Sequence, residues 1–263
     1  MDGFRLAEVP ISRLDWISGN TLLIGAKAAE ISGHVYPGQF FMLRGGIEFS
    51  PLWSRPFSIC DVNDMELLFM VRVSGRGSQC LASKKIGDTL SIVGPLGNRV
   101  MLGEPGSSYM LIAGGIGLAP FPFLARWIRN KQPGAEIALV YGEKTGSMVV
   151  DLRGLFEADV NTIVCTDDGS TGQKGTVVDA CTRLLKRKSY SMIFACGPKP
   201  MLKAIQSHPK CRESDLMFFM EELMACGFGT CMGCVTALRD GDQTYYARVC
   251  REGPVFDGRK VII

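Results

Sequence analysis

The sequence predicts a β + α/β protein in three regions: a six-stranded antiparallel barrel over residues 1–102, a parallel sheet covered by helices over 103–213, and a small cysteine-bearing region over 214–263. Three observations predict it. Short apolar runs recur through the first hundred residues, strand and helix patterns then alternate, and cysteines gather near the end.

In the first region "TLLIGAKA", "QFFMLR", "RPFSICDV", "ELLFMVRVS" and "TLSIVG" are rich in Val, Ile, Leu and Phe, with "YPGQ", "DVND", "SGRGS", "KIGD" and "GPLGN" between them. Strands this short, broken by turn residues every ~8–12 positions, close into a small barrel or sandwich. "GEPGSS" reads as a connector. The second region then runs "YMLIAG" (strand), "LAPFPFLARWIRN" (helix), "EIALVYGE" and "NTIVCTDDGS" (strands), "TVVDACTRLLKRK" (helix), "YSMIFACG" (strand) and "PKPMLKAIQS" (helix). That alternation gives a parallel sheet with helices on its faces. From about Ser214 glycine and cysteine dominate, and "VTALRDGDQTYYARV" reads as a hairpin.

Composition narrows the function classes. The 263 residues are 46% hydrophobic and carry a net charge of only +3, with both signs interspersed. No basic block marks a nucleic-acid or membrane surface, so neither partner is expected. "MDGFRLAEVP" contains Asp2 and Glu8 and lacks an apolar core, so no secretory leader is expected. Residues 109–128 are long and apolar, but three glycines and two prolines interrupt them, as in a strand, loop and helix rather than a membrane span. A cytoplasmic, reducing compartment follows, in which most of the ten cysteines stay as thiols. With only His34 and His208, histidine-rich metal sites and a Ser-His-Asp triad are poor readings.

Cys226, Cys231, Cys234 and Cys250 have the spacing C-x4-C-x2-C-x15-C. Structural zinc sites usually present two short pairs, whereas three ligands in one loop with a distant fourth is the plant-type [2Fe–2S] pattern. Gly227, Gly229 and Gly233 let the backbone wrap the cluster and aim N–H groups at its sulfurs. A zinc knot is the competing reading.

"RPFSI", carrying Arg55, Pro56, Phe57 and Ser58, and "VRVSGRGS", carrying Val71, Arg72, Gly77 and Ser78, are both strand-end elements of the barrel. Arg55 and Arg72 suit a diphosphate, Gly77 and Ser78 offer close backbone and hydroxyl contacts, and Ser58 suits a flavin ring edge. Met70 belongs to the same candidate set. "IAGGIGLAPF", with Gly114, Gly115 and Gly117, places a glycine turn between strand and helix, where helical N–H groups meet a phosphate. It departs from G-x-G-x-x-G, because Pro120 stands at the last position; alone it also reads as a tight packing turn, but its context between strand and helix favours a dinucleotide. "FACGPKPM" adds Cys196, Gly197 and Pro198 at a strand end. Asp167 and Asp168 end another strand, where they repel a 2′-phosphate and accept from ribose hydroxyls, so NAD is expected over NADP.

Barrel, nucleotide sheet and C-terminal cluster loop together resemble the ferredoxin–NADP reductase superfamily, and within it the electron-transfer subunits of NAD-linked, two-subunit (class 1B) dihydroorotate dehydrogenases. "EELMACGFGTCMGCV…RVCREGPVF" is the most specific part. In a bifurcating NADH-dependent ferredoxin:NADP oxidoreductase the first ligand is typically aspartate, where this chain has Cys226. Ser78 stands where the family more often has Thr. The resemblance implies FAD, a [2Fe–2S] cluster and NAD as cofactors, Cys196 beside the hydride path, and an FMN-bearing catalytic partner in a heterotetramer of two copies of each chain. It also implies electrons passing from dihydroorotate to NAD+ in pyrimidine biosynthesis. A flavin reductase subunit of another complex, such as a ferredoxin:NADP oxidoreductase or hydrogenase, is the alternative.

Overall fold

The computed structural model describes residues 4–45 and 53–263. Six strands, β1 (Arg5–Trp16), β2 (Thr21–Lys27), β3 (Phe40–Arg44), β4 (Arg55–Val62), β5 (Glu66–Arg72) and β6 (Thr89–Leu96), close an antiparallel barrel in the order β1-β2-β5-β4-β3-β6. Short helices α1 (Ala29–Ser32) and α2 (Arg76–Ala82) pack Ile31 and Leu81 into its core. Ile24, Phe41, Phe69 and Val71 fill the interior, and the Phe41 and Phe69 rings meet edge to face at 5.7 Å. Each such side chain, fully withdrawn from water, contributes about 1.5–3 kcal/mol.

The five apolar runs of the sequence became β2 to β6, and β1 is the strand they did not contain. Its pattern "RLAEVPISRLDW" buries only Val9 and Ile11, and Pro10 interrupts it. Pairing with β2 and β6 on its two sides, rather than its own apolarity, holds it.

The second sheet has seven strands: β7 (Tyr109–Gly114), β8 (Ile137–Glu143), β9 (Asn161–Thr166), β10 (Gln173–Lys174), β11 (Met192–Cys196), β12 (Asp215–Phe219) and, from the far end of the chain, β15 (Val255–Asp257). The order is β10-β9-β8-β7-β11-β12-β15, parallel except for β15. Central strands are apolar on both faces because helices cover both. Tyr109, Leu111 and Ala113 face α3 (Phe121–Lys131), while Met110 and Ile112 share a core with α4 (Val177–Arg187), α5 (Lys199–Ser207) and α6 (Pro209–Glu213). Helix α3 starts later than the run "LAPFPFLARWIRN" suggests: Gly115–Leu118 form a 3-10 turn, and Pro120 and Pro122 flank the first α-helical residue. Proline is compatible with a first turn, where its missing N–H has no partner to lose.

The expected break at 213/214 precedes β12, which pairs with β11 from Met192↔Asp215 to Cys196↔Phe219. After Phe219 the chain leaves the sheet for the cysteine loop and the hairpin of β13 (Val235–Asp240) and β14 (Gln243–Arg248), then returns as β15 against β12. Asn98, just beyond β6, grips this return: its side chain donates to the Val255 carbonyl (2.8 Å) and the Glu252 carbonyl (3.1 Å), and accepts from the Val255 N–H (3.1 Å). Among the described residues no helix is long and apolar enough to cross a membrane.

Candidate functional site

The cysteine loop lies against the barrel. A Cβ on Gly227 would stand 2.5 Å from Met42 of β3, and Gly227, Gly229 and Met232 all have positive φ (82°, 91° and 58°), so the loop folds tightly onto β3 and β6. Its four thiols fall into two pairs. Cys231 is the thiol that acts most strongly on Cys226 and Cys234 the one that acts most strongly on Cys250, with Cys226 near enough to act on Cys250 too. N–H groups converge on them: Gly233 donates to the Cys231 sulfur and Cys250 to the Cys234 sulfur, each at 3.4 Å. Burial raises the Cys226 thiol, but the N–H groups of Cys231, Phe228 and Thr230, with the Cys231 thiol, outweigh it and hold it at about 6. Cys250 is pushed up to about 12, first by burial and then by Cys234, with one Gly229 N–H acting against them. Two thiol pairs ringed by amide donors fit two irons, each taking one pair, better than one zinc ion, which draws four ligands to a single point. Cys234 and Cys250 are buried and Cys231 is exposed, so one side of the site faces solvent.

Next to the loop a cavity of about 530 Å³ opens between barrel and sheet, lined by Phe40, Pro56, Phe57, Ser58, Met70 and Arg72 on one side and by Met220 to Met224 on the other. Strand alternation explains the barrel wall: Met70 and Arg72 point out of β5 into the cavity, while Val71 points into the barrel core. Arg55 lies over the first turn of α2, so close that a Cβ on Gly77 would be 2.7 Å from its Nε. Arg55 and the α2 turn lie outside the cavity lining itself, Arg55 on the strand that also supplies Pro56, Phe57 and Ser58 to it; a basic group on that strand beside an apolar slot fits a flavin dinucleotide. The Ser78 hydroxyl serves the turn itself, accepting from Ser74 N–H (3.0 Å) and Gly75 N–H (3.1 Å) and donating to the Gly75 carbonyl (2.9 Å).

The glycine turn and the Cys-Gly-Pro turn meet. A Cβ on Gly117 would fall 2.2 Å from the Cys196 carbonyl oxygen, and one on Gly114 would fall 3.0 Å from Pro198. Gly114, Gly115, Gly117, Gly197 and Pro198 therefore line one cleft of about 240 Å³, which continues into a larger one of about 690 Å³ bordered by Asp167 and the start of α4. Asp167 and Asp168 differ. Asp167 borders the cleft, whereas Asp168 Oδ1 accepts from the Ser170 hydroxyl (2.5 Å) and N–H (2.9 Å), which hold it down at about 2. Cys196 is 1% exposed in the core under the cleft, and burial, reinforced by Glu221, keeps it a neutral thiol.

Arg72 is not grouped with Arg55. It pairs with Glu143 at the end of β8, and the Tyr141 hydroxyl donates to the same carboxylate at 2.9 Å. Sequence reasoning passed over Glu143, although a charged residue closing the apolar run "EIALVYGE" was the available signal. Met220 lies outside every motif, and Glu221 to Met224 open "EELMACGFGTCMGCV" without a role of their own there; all five gain one from lying between cavity and loop.

Comparisons with known proteins agree with this layout. Residues 221–262 match the iron–sulfur cluster binding domain of dihydroorotate dehydrogenase B, and 111–207 match the oxidoreductase NAD-binding domain. The chain is 35% identical to a dihydroorotate dehydrogenase B (NAD(+)) electron transfer subunit homolog of Aquifex aeolicus, over 98% of this chain and 100% of that one. It is 33% identical to the electron transfer subunit of Desulforamulus reducens, over 98% of each. Among solved structures it superposes with a TM-score of 0.84 and 26% identity on a chain of an NADH-dependent reduced ferredoxin-NADP oxidoreductase, covering 97% of this chain and 90% of that one. The ferredoxin reductase of carbazole 1,9a-dioxygenase shares the fold at TM-score 0.67 and 22% identity, over 76% and 64%. By full-length identity to these relatives, the chain belongs to the family of dihydroorotate dehydrogenase B (NAD(+)) electron transfer subunits.

Proposed function

We propose that this chain passes electrons from an FMN-bearing dihydroorotate dehydrogenase subunit to NAD+ in the cytoplasm, for pyrimidine biosynthesis, in a heterotetramer of two copies of each chain. The observation that carries it is the adjacency of cavity and loop. Met224 lines the cavity that fits a flavin, and Cys226 follows two residues later. Held in these sites, a [2Fe–2S] cluster would supply one-electron transfer, and FAD would supply the conversion between single electrons and a hydride.

The chain's own residues have distinct tasks. Cys226, Cys231, Cys234 and Cys250 hold the irons. Arg55, Gly77 and the α2 turn shaped by Ser78 take the flavin diphosphate, and Pro56, Phe57, Ser58, Met70 and the Val71 backbone bound its ring. Gly114, Gly115, Gly117, Gly197 and Pro198 keep the coenzyme cleft open, and Cys196 packs beneath it. Asp167 meets the adenosine ribose and Asp168 shapes the turn beside it. Asp167→Ser is expected to narrow a preference for NADH over NADPH by ~10-fold in apparent affinity, because one charge at the cleft edge no longer opposes the 2′-phosphate. An unchanged ratio in steady-state assays removes Asp167 from that role.

The partner meets the exposed side of the loop. Phe228 stacks on Phe4 at 5.2 Å, and Met232 (54% exposed) and Val235 lie beside Cys231 at the surface. Exposed apolar groups beside an electron-transfer site suit a protein interface. The test is anaerobic purification of the tagged chain from its own cells, with mass identification of what accompanies it. An FMN-bearing dihydroorotate dehydrogenase subunit is expected, and the pair reduces NAD+ with dihydroorotate while the isolated chain does not. Recovery with the large subunit of a ferredoxin:NADP oxidoreductase would move the function to that system.

A further inference from the structure

Among the described residues, Arg72 is the one whose side chain lines the flavin cavity and both parts of the coenzyme cleft. It is 19% exposed and its partner Glu143 only 2%, so the pair is a buried ion pair joining barrel to sheet. Tyr141 fixes the carboxylate, and the Val150 N–H fixes the Tyr141 hydroxyl at 3.2 Å. Arg72 is the basic partner of Glu143, and Arg72 Nε is buried with no hydrogen-bond acceptor. Both groups stand over the coenzyme turn. A Cβ on Gly115 would be 3.0 Å from Arg72 Nη1 and 3.9 Å from Glu143 Oε2.

We propose that Glu143 is a positioning residue that competes with the coenzyme's diphosphate for Arg72, and so limits how tightly the nicotinamide coenzyme is held. This rests on the reading of the Gly114–Gly117 cleft as the coenzyme site. In the free protein the carboxylate pairs with one edge of the guanidinium and leaves Nε without an acceptor. A diphosphate seated on the glycine turn satisfies the same guanidinium, and its arrival brings two anions to one cation. The carboxylate opposes the ligand twice: it occupies the arginine, and its own charge faces the phosphates. A group that stabilises the free state and repels the bound one weakens binding by the difference between the two. Such weakening favours release of NADH, the product when dihydroorotate is the donor.

The prediction has an unusual sign. Damage to a buried network ordinarily loosens a ligand, whereas removal of a competing charge tightens it. Calorimetric titration of FAD-loaded protein with ADP-ribose, which carries the diphosphate but no nicotinamide, reads this without turnover. Glu143→Gln is expected to lower the Kd at least ~5-fold and Arg72→Ala to raise it at least ~10-fold, sizes in line with making or breaking one charge-assisted hydrogen bond. In the Arg72→Ala background the tightening by Glu143→Gln shrinks to about twofold or less, as coupled groups require. Glu143→Met, an apolar side chain of similar volume, serves if Gln at this buried position does not fold. A Kd that is unchanged or raised in the folded Glu143 variants overturns the proposal. Wild-type protein that does not bind ADP-ribose at all overturns the cleft assignment on which it rests.

Discussion

Cys234→Ser abolishes dihydroorotate-dependent NAD+ reduction in the complex, by ~100-fold or more, while NADH oxidation with a dye acceptor stays within about threefold of wild type. The two rates separate because the site's parts are separate. Cys234 is 2% exposed, pairs with Cys250 and accepts the Cys250 N–H at 3.4 Å, so it holds the buried half of the thiol set. Serine brings a shorter, harder ligand to a pocket shaped for sulfur, and a lost ligand in this half leaves one buried thiol without its mate. Arg55, Phe57 and the glycine cleft lie outside the loop, so flavin and coenzyme exchange persists. Iron content and the low-temperature electron paramagnetic resonance of the reduced protein check the cause. Full iron with unimpaired complex turnover would remove Cys234 from the ligand set.

Gly117→Ala is expected to destabilise the protein by about 3 kcal/mol and to weaken coenzyme binding ~10-fold or more. The added Cβ would lie 2.2 Å from the Cys196 carbonyl oxygen and 2.5 Å from its carbon, both backbone atoms at the end of β11. A side chain can rotate away from such a collision, but a central strand of a seven-stranded sheet cannot. The strand end must move, carrying Gly197 and Pro198 with it, and those residues line the cleft. The melting temperature falls by about 8 °C at this chain length. Gly33→Ala is the control, since Gly33 has φ −69° and nothing within 4 Å of the added atom. Equal stability of the two variants would show that the two turns do not meet.

Periodicity made the barrel and sheet readable, since β2 to β6 and β7 to β9 are apolar runs bounded by turn residues. It could not show β1, whose two buried residues leave no run, nor the placement of β12 and β15, which pair across the whole cysteine segment between them. Spacing alone singled out the four thiols as candidates, because three of them share one short loop. Their grouping in pairs needed the fold. Arg72 shows what residue type leaves open: an arginine beside a glycine-rich turn suits a flavin diphosphate, and strand alternation does point it into that cavity, but only the fold shows that it also borders the glycine cleft and pairs with a carboxylate 71 positions away. Asp167 and Asp168 are adjacent in sequence, and only the fold distinguishes them, placing Asp167 at the cleft and tying Asp168 to Ser170.

The return of the chain as β15 makes the cysteine segment a loop closed at both ends on one sheet, with Asn98 of the barrel bolting its exit. Its anchors are main-chain ladders and amide pairs that contain no sulfur. Loss of iron therefore leaves the frame standing, and the empty loop stays a preorganised receptacle rather than an unfolded tail. In hydrogen–deuterium exchange this appears as a boundary. Amides of Phe256 and Val255 remain protected in iron-free protein, while those between Gly227 and Gly233 exchange freely, so the cluster can be rebuilt in a chain that never unfolded.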